Sequence, residues 1–236
     1  MIRRAHAALV LAAAAVAGAY LWWRAGMLAW VRRDHPVGVD VSHHQGSIDW
    51  PRVRAAGVAF AIIKATEGVT FTDPAFAENW RSAGRAGLVR GAYHFFTFCT
   101  PGRAQAAHFA EIVPVEAGAL PPVIDLEIGG NCAARPAPDR LKAELDDFLR
   151  AIEPRYGHAI LYVTQEFHER YGTATEGRQL FLREIFVEPR WPEGRAWLLW
   201  QFHNGGRIDG IEGPVDLDAF QGSMDHLRAL ARPAPR

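Results

Sequence analysis

The sequence predicts an α/β barrel that follows a separate N-terminal helix. From Gly38 onward, short apolar runs rich in β-branched residues alternate with segments of helical pattern. Such alternation is typical of parallel strands covered by helices. About eight strands within roughly 200 residues are enough to close a barrel. The helical patterns fade after residue 171, so we expect the last strands to lack full helices.

Composition and charge support a folded chain of about one domain. The 236 residues are 49% hydrophobic and 22% charged, which is typical of globular proteins and not of disordered ones. The 26 Lys and Arg residues balance the 26 Asp and Glu residues, giving a formal net charge of zero. A general nucleic-acid binder would carry a basic excess, so we expect no nucleic-acid partner.

The N-terminal segment carries an export signal. Residues 5–23 are a nearly unbroken apolar stretch that follows two arginines and ends in two tryptophans. A helix of this length spans roughly 28 Å, close to the thickness of the hydrocarbon core of a bilayer. We expect residues 1–36 to be an uncleaved signal anchor with its linker, placing the chain on the inner membrane and facing the periplasm or the cell exterior. The alternative is secretion after cleavage near residues 17–19.

The predicted barrel occupies residues 37–231, and a short Pro-rich tail, 232–236, follows it. Its strand patterns are 38–42, 58–65, 88–98, 122–128, 159–164, 180–187, 196–202 and about 207–211. Three helices are signalled by Asp or Thr one or two residues before Pro at their starts: one from Asp49 to Gly57, one from Asp73 to residues 84–87, and one after Thr100. The long segment 138–155 repeats apolar residues at spacings of three and four, a helical stripe. Residues 165–171 and 223–231 complete the helices.

Carboxylates fall where two predicted strands end. Asp40 ends the first strand, and Asp125 and Glu127 end the fourth. Side chains alternate along a strand, so Asp125 and Glu127 share one face. Barrels of this kind carry their active sites at the C-terminal strand ends. Asp216 is expected at the same rim.

Two close carboxylates repel each other, so one of them keeps a proton near neutral pH. The result is an acid and a base side by side, the pair that glycoside hydrolysis requires. A salt-bridge cluster with Lys64 or Arg90 is the alternative, and four acids on one rim make it the weaker one.

Aromatic residues accompany these acids. Tyr93, Tyr162 and Trp200 are candidates for stacking on sugar rings, whereas Phe95 and Phe202 fit core packing better. His43 and His44 are adjacent and point in opposite directions on an extended segment, so a zinc site with about three ligands is not expected. No nucleophile elbow or phosphate-binding glycine loop is present, and we expect neither a metal nor a cofactor.

The two cysteines, Cys99 and Cys132, follow the third and fourth predicted strands. These strands are consecutive, so their C-terminal loops are neighbours in a parallel sheet and a disulfide between them is plausible. Two unpaired thiols are the alternative. The export signal favours the bond.

At these residues the sequence resembles the family 25 glycoside hydrolases, lysozymes of the Chalaropsis type that cut peptidoglycan. The shared segments are Asp40-Val41-Ser42 with Gln45-Gly46, Ile63-Lys64-Ala65-Thr66-Glu67-Gly68, Gly91-Ala92-Tyr93-His94-Phe95, Asp125-Leu126-Glu127, Trp200-Gln201-Phe202 and Gly213 to Phe220. Each is weak alone, but all six in the family order are specific.

The resemblance implies a (β/α)5β3 barrel and hydrolysis of the β-1,4 bond between N-acetylmuramic acid and N-acetylglucosamine. Glu127 would be the general acid, Asp125 would orient a water or the 2-acetamido group, and Asp40 and Asp216 would complete the acidic rim. It further implies substrate contacts from these side chains: Lys64, Glu67, Tyr93, Tyr162 and Trp200.

The expected partner is therefore the peptidoglycan glycan strand, bound by a monomer. A non-catalytic glycan-binding module and a chitin-directed hydrolase are the other candidates. Binding alone does not require a proton donor, and the longer run of spaced aspartates usual in chitin-directed enzymes is absent, because Leu120 and Val123 stand at the upstream positions.

Overall fold

The structure is a computed structural model whose backbone is described for residues 2–185, 187–192 and 194–231. Side chains are described from residue 14 onward within these ranges, except those of residues 21 and 24. The chain divides into two compact units, residues 1–35 and 36–236.

The first unit is one long helix, α1 (Ile2–Asp34), which spans 33 residues. The helix over the N-terminal segment is thus confirmed. Within the described part of the chain, no helix is both long enough and apolar enough to span a bilayer. The predicted membrane segment, residues 5–23, includes the side chains of residues 5–13, which lie outside the described residues. The membrane anchor is therefore not supported by the structure.

The described residues of the second unit form nine strands. Their bounds are β1 (Val37–Val41), β2 (Phe60–Glu67), β3 (Phe71–Thr72), β4 (Val89–Phe95), β5 (Val123–Leu126), β6 (Ile160–Val163), β7 (Gln179–Arg183), β8 (Leu199–Gly206) and β9 (Val215–Phe220). Eight of them close a barrel in the order β1-β2-β4-β5-β6-β7-β8-β9, and β9 returns to β1. The two-residue strand β3 pairs with the end of β2 and lies outside the barrel.

The barrel is parallel from β1 through β8, and β9 runs antiparallel to both of its neighbours. Its helices are α2 (Trp50–Ala55), α3 (Phe76–Arg85), α4 (Gly102–Ile112), α5 (Pro138–Tyr156), α6 (Gln165–Tyr171) and α7 (Met224–Leu230). The first five each follow a barrel strand, and no described helix lies between β7 and β9. The (β/α)5β3 arrangement is confirmed.

The eighth barrel strand is not the predicted one. Residues 207–211 form a turn with one isolated bridge, between Ile211 and Ile48, because Gly210 and Gly213 adopt positive φ angles of 98° and 83° that strands do not accommodate. The strand is β9, in which two aspartates alternate with apolar residues. Because the two aspartates interrupt the apolar run, the sequence pattern of this segment did not indicate a strand.

Helix starts follow the sequence signals only in part. Asp49 caps α2, accepting from the Arg52 N–H at 3.2 Å, as predicted. Asp73 and Thr100 do not cap the helices that follow them, which begin after Ala75 and Pro101 without side-chain caps. Asp73 instead accepts from the N–H of Ala75, the residue directly before α3, and from the N–H of His43.

Side chains pack the barrel interior. The ring of Phe60 lies across Gly38, so close that a Cβ atom at position 38 would overlap it. Phe60, Ile62, Val123 and Phe181 belong to one buried cluster. The acid-lined cavity lies at the C-terminal ends of the parallel strands.

Candidate active site

A cavity of about 130 Å³ opens at the C-terminal ends of the parallel strands. Four of its lining residues are the predicted acids. The lining comprises Asp40, Ile62, Tyr93, Val123, Asp125, Glu127, Tyr162, Phe181, Gln201 and Asp216. The structure thus brings together all four carboxylates that the sequence predicted at one rim.

Strand register explains how these acids meet. Asp40 on β1 is directly paired with Asp216 on the antiparallel strand β9. Asp216 lies near the start of β9, and an antiparallel strand begins where its parallel neighbours end. Asp125 on β5 and Glu127, the first residue after that strand, both line the cavity. The two pairs of acids therefore reach one cavity from different sides of the barrel.

Asp40 is held by a chain of hydrogen bonds. The side-chain amide of Gln201 donates to Asp40 Oδ2 at 2.8 Å. The hydroxyl of Tyr162 donates to Gln201 Oε1 at 3.1 Å. Gln201 is 3% exposed, so the orientation of its amide is fixed by these two partners. The chain links β6, β8 and β1 across the barrel.

Burial raises the pKa of every acid in the cavity, because a charged carboxylate loses its hydration there. Burial, together with the neighbouring Asp216, raises the pKa of Asp40 to about 8. Burial raises the pKa of Asp216 to about 6. The pKa of Asp125 lies well above its ordinary value because of burial and then of Glu127 and Asp40. The charge of each of these groups therefore influences the titration of its neighbours.

Glu127 also has a raised pKa, with burial as the main cause. The positive charges of Arg183 and Lys64 act in the opposite direction on the same group. A carboxyl group in this balance can keep a proton near neutral pH and still release it during a reaction. Glu127 therefore has the properties of a general acid.

The cations near the cavity do not neutralise the acids directly. Lys64 Nζ lies 2.7 Å from Glu67 Oε2 and 5.2 Å from the centre of the Phe95 ring. Arg90 pairs with Glu116 on the outside of the barrel. Among the described residues, no Lys, Arg or His forms an ion pair with any of the four cavity acids. The alternative of a structural salt-bridge cluster is thus not supported.

The predicted sugar contacts divide into two groups. Tyr93 and Tyr162 line the cavity, and Lys64 and Glu67 form their ion pair beside it at the end of β2. Trp200 has no exposed surface, and its indole N–H donates to the backbone oxygen of Glu184 at 2.6 Å. The expected sugar contact of Trp200 is therefore wrong. Strand alternation turns Gln201, not Trp200, toward the cavity.

The loop that carries Glu127 is fixed by Asn131. Its side-chain amide donates to the backbone oxygens of Glu127 at 3.1 Å and Phe96 at 2.9 Å. Its Oδ1 atom accepts from the N–H groups of Phe98 and Cys132. Asn131 thus ties the loop after β5 to the loop after β4.

The predicted disulfide between Cys99 and Cys132 is confirmed. It joins the same two loops beside Asn131. Its place at the C-terminal ends of β4 and β5 follows from the neighbourhood of consecutive parallel strands. The acid-bearing loop is thus held by both covalent and polar links.

Besides the apolar lining residues Ile62 and Val123, sequence reasoning missed three residues of the site. Gln201 and Phe181 line the cavity, and Arg183 at the end of β7 acts electrostatically on Glu127 and Asp216. Gln201 stands in the segment Trp200-Gln201-Phe202, so the alternation of β8 was the signal that could have identified it. Arg183 and Phe181 lie two residues apart on one strand and could be placed only once the register of β7 was known.

Comparisons with known proteins agree with this geometry. The sequence model of glycosyl hydrolases family 25 matches residues 39–211. Lysozyme M1 of Streptomyces globisporus is 34% identical over 82% of this chain and 70% of its own length. A family 25 glycosyl hydrolase from Bacillus anthracis superimposes with a TM-score of 0.80 at 36% identity, covering 85% of this chain and 95% of that one. The bacterial lysozyme from Streptomyces coelicolor gives a TM-score of 0.77 at 33% identity, covering 84% and 97%.

Proposed function

The chain belongs to glycosyl hydrolases family 25, and on that premise we propose how its acidic cavity performs the reaction. The chain is a muramidase: it hydrolyses the β-1,4 bond between N-acetylmuramic acid and N-acetylglucosamine in peptidoglycan. The observation that carries the residue roles is the meeting of Asp40, Asp125, Glu127 and Asp216 around one cavity.

Glu127 is the general acid of this proposal. Its proton passes to the glycosidic oxygen as the bond to the anomeric carbon breaks, so the leaving sugar departs with a hydroxyl group. The raised pKa of Glu127, caused mainly by burial, supports this role. The backbone contact with Asn131 holds the residue in position.

Asp125 assists at the anomeric carbon. Its Oδ1 atom is buried and has no hydrogen-bond partner among the described residues. An acceptor of this kind can orient the group that attacks the anomeric carbon, which is either a water molecule or the acetamido group of the substrate. Proton NMR of the first anomer formed separates the two routes: retention indicates the acetamido group, and inversion indicates direct attack by water.

Asp40 and Asp216 position the substrate and raise the pKa of the acids beside them. Tyr93 and Tyr162 provide ring faces for the sugar, and Lys64 with Glu67 extends the polar edge of the cleft. Trp200 has no part in this proposal, because it is buried on the other side of β8.

The site of action is the cell wall, as for the lysozymes that the chain resembles. The disulfide bond supports export from the cytoplasm, because such bonds persist in oxidising compartments. The membrane anchor of residues 5–23 has no support from the described residues.

The test is digestion of purified peptidoglycan with mass spectrometry of the released ends. New reducing N-acetylmuramic acid termini are expected with the wild-type chain and not with Glu127→Gln. Glu111→Gln, an exposed change on α4, is the matched control and should leave the activity intact. Retained activity in Glu127→Gln would remove this residue from the role of acid. Binding of the glycan without cleavage by the wild type would indicate the binding module instead.

A further inference from the structure

Asp218 is a buried acid for which the reaction described above has no use. It lies on β9 two residues after Asp216, so both side chains point to the barrel interior. Its strand neighbours are Gly38 on β1 and Gln201 on β8. The residue has no exposed surface. It therefore lies in the layer below the cavity.

The surroundings of Asp218 do not suit a carboxylate ion. Neither of its side-chain oxygens has a hydrogen-bond donor among the described residues. Gly38 has no side chain, and the apolar ring of Phe60 fills the space over it. An ionised carboxylate without donors in an apolar interior is strongly destabilising.

The polar group that Asp218 meets is another carboxyl group, that of Asp40. Two carboxyl groups form a hydrogen bond only if one of them carries the proton. Burial, followed by the charges of Asp40 and Asp216, raises the pKa of Asp218 well above its ordinary value. A hydrogen bond donated by Asp218 would act in the opposite direction on Asp40 and lower the pKa of that group. Asp40 already accepts from the amide of Gln201, whereas Asp218 has no donor among the described residues, so Asp218 is the member of the pair that keeps the proton.

We propose that Asp218 is a positioning residue that stays protonated and donates its hydroxyl hydrogen bond to Asp40. Asp40 then receives two donors from the barrel interior, the amide of Gln201 and the hydroxyl of Asp218. These two bonds hold the carboxyl of Asp40 in position beside Asp216. Asp40, and not Asp218, is then the group whose ionisation changes with substrate and pH. The inference deepens the proposed function, because it concerns how the same acidic cavity is held.

Two nearly isosteric variants test the hydrogen bond. In Asp218→Asn the amide N–H can donate to Asp40 in place of the hydroxyl, so we expect kcat/KM to stay within about threefold of the wild type. In Asp218→Leu the donor is lost, and kcat/KM should fall about tenfold to a hundredfold, the range for a hydrogen bond to a charged group. Asp225→Asn, on the exposed start of α7, is the control.

Carboxyl ¹³C NMR of aspartate-labelled full-length protein provides a readout that a merely structural role would not change. The resonance of Asp218, assigned by its loss in Asp218→Asn, should stay at the position of a protonated acid through neutral pH. The pKa of Asp40 should rise in Asp218→Leu and stay near its wild-type value in Asp218→Asn.

Three results would overturn the proposal. The first is an ionised Asp218 carboxylate at neutral pH in the wild type. The second is a lowered pKa of Asp40 in Asp218→Asn, because a lowered pKa would indicate that the substitution removed a negative charge. The third is an unchanged pKa of Asp40 in an Asp218→Leu variant that folds. If the leucine variant does not fold, the carboxyl titrations of the wild type and of Asp218→Asn still test the proposal. The titration needs no substrate, so its outcome is distinct from any failure of the muramidase reaction.

Discussion

Replacing Asp216 by Asn should make the protein more stable at neutral pH and less active. Asp216 lines the cavity beside Asp40, its partner on the neighbouring strand. Burial raises the pKa of Asp216 from its ordinary value of 3.8 to about 6. The folded state therefore holds the proton of Asp216 in a pH range where the unfolded chain has already released it. Asn is similar in size and does not ionise, so the variant removes this difference.

The sign and the size follow from proton linkage. Below about pH 4 the carboxyl is protonated in both the folded and the unfolded state, so it does not lower the free energy of unfolding. As pH rises from about 4 to about 6, the wild type loses stability, and above about 6 the loss is complete. At about 1.36 kcal/mol per pKa unit, the loss would be about 3 kcal/mol. Because the side chain is partly exposed and Arg183 opposes the effect, we expect about 1–3 kcal/mol.

Urea unfolding followed by tryptophan fluorescence at several pH values measures this difference. The free energy of unfolding of Asp216→Asn minus that of the wild type should grow between about pH 4 and 6 and then level off. Asp225→Asn, whose side chain is 91% exposed, should show no such growth. A difference that is constant with pH, or that shrinks as pH rises, would refute the reasoning.

Three further predictions concern the loops and charges around the acid. Cys99→Ser with Cys132→Ser opens a loop with a sequence separation of 33 and should lower the free energy of unfolding by about 3–4 kcal/mol; an unchanged urea midpoint would contradict this. Asn131→Ala removes four hydrogen bonds to two loops, so kcat should fall about tenfold and thermal stability should drop; full activity would show that the loop needs no such support. Arg183→Gln removes a charge that lowers the pKa of Glu127, so the alkaline limb of the pH profile of kcat/KM should move to higher pH, and a shift to lower pH would argue against Glu127 as the acid.

The pairing of Asp125 with Glu127 illustrates what strand periodicity can predict. An apolar strand with acids at alternate positions places both carboxyl groups on one face whatever its partners are. The rule that barrels work at their C-terminal strand ends then locates the cavity. The long helix α5 was equally accessible, because its apolar stripe is local: Leu141, Leu145 and Ile152 are all buried.

Trp200 illustrates where such reasoning fails. The sequence shows that Trp200, Gln201 and Phe202 lie on a strand, but it does not show which face is the barrel interior. Which side chains of β8 face the interior is set by the pairing of β8 with β7 and β9, and these pairings are long-range contacts. A shift by one residue exchanges the two faces, and for this reason the buried Trp200 was taken for a sugar contact while Gln201 was overlooked.

The sequence by itself determined the alternating α/β order, the acidic motifs on their strands, the neighbourhood of the two cysteines and the family resemblance. Each of these depends on residues that are close in the chain or on motifs in a fixed order. Only the tertiary structure decided that β9 is the closing strand and runs antiparallel to β1. That reversal pairs Asp216 with Asp40 and places Asp218 below them. The physical reason is that strand direction and register depend on barrel closure, a property of the whole chain and not of any local pattern.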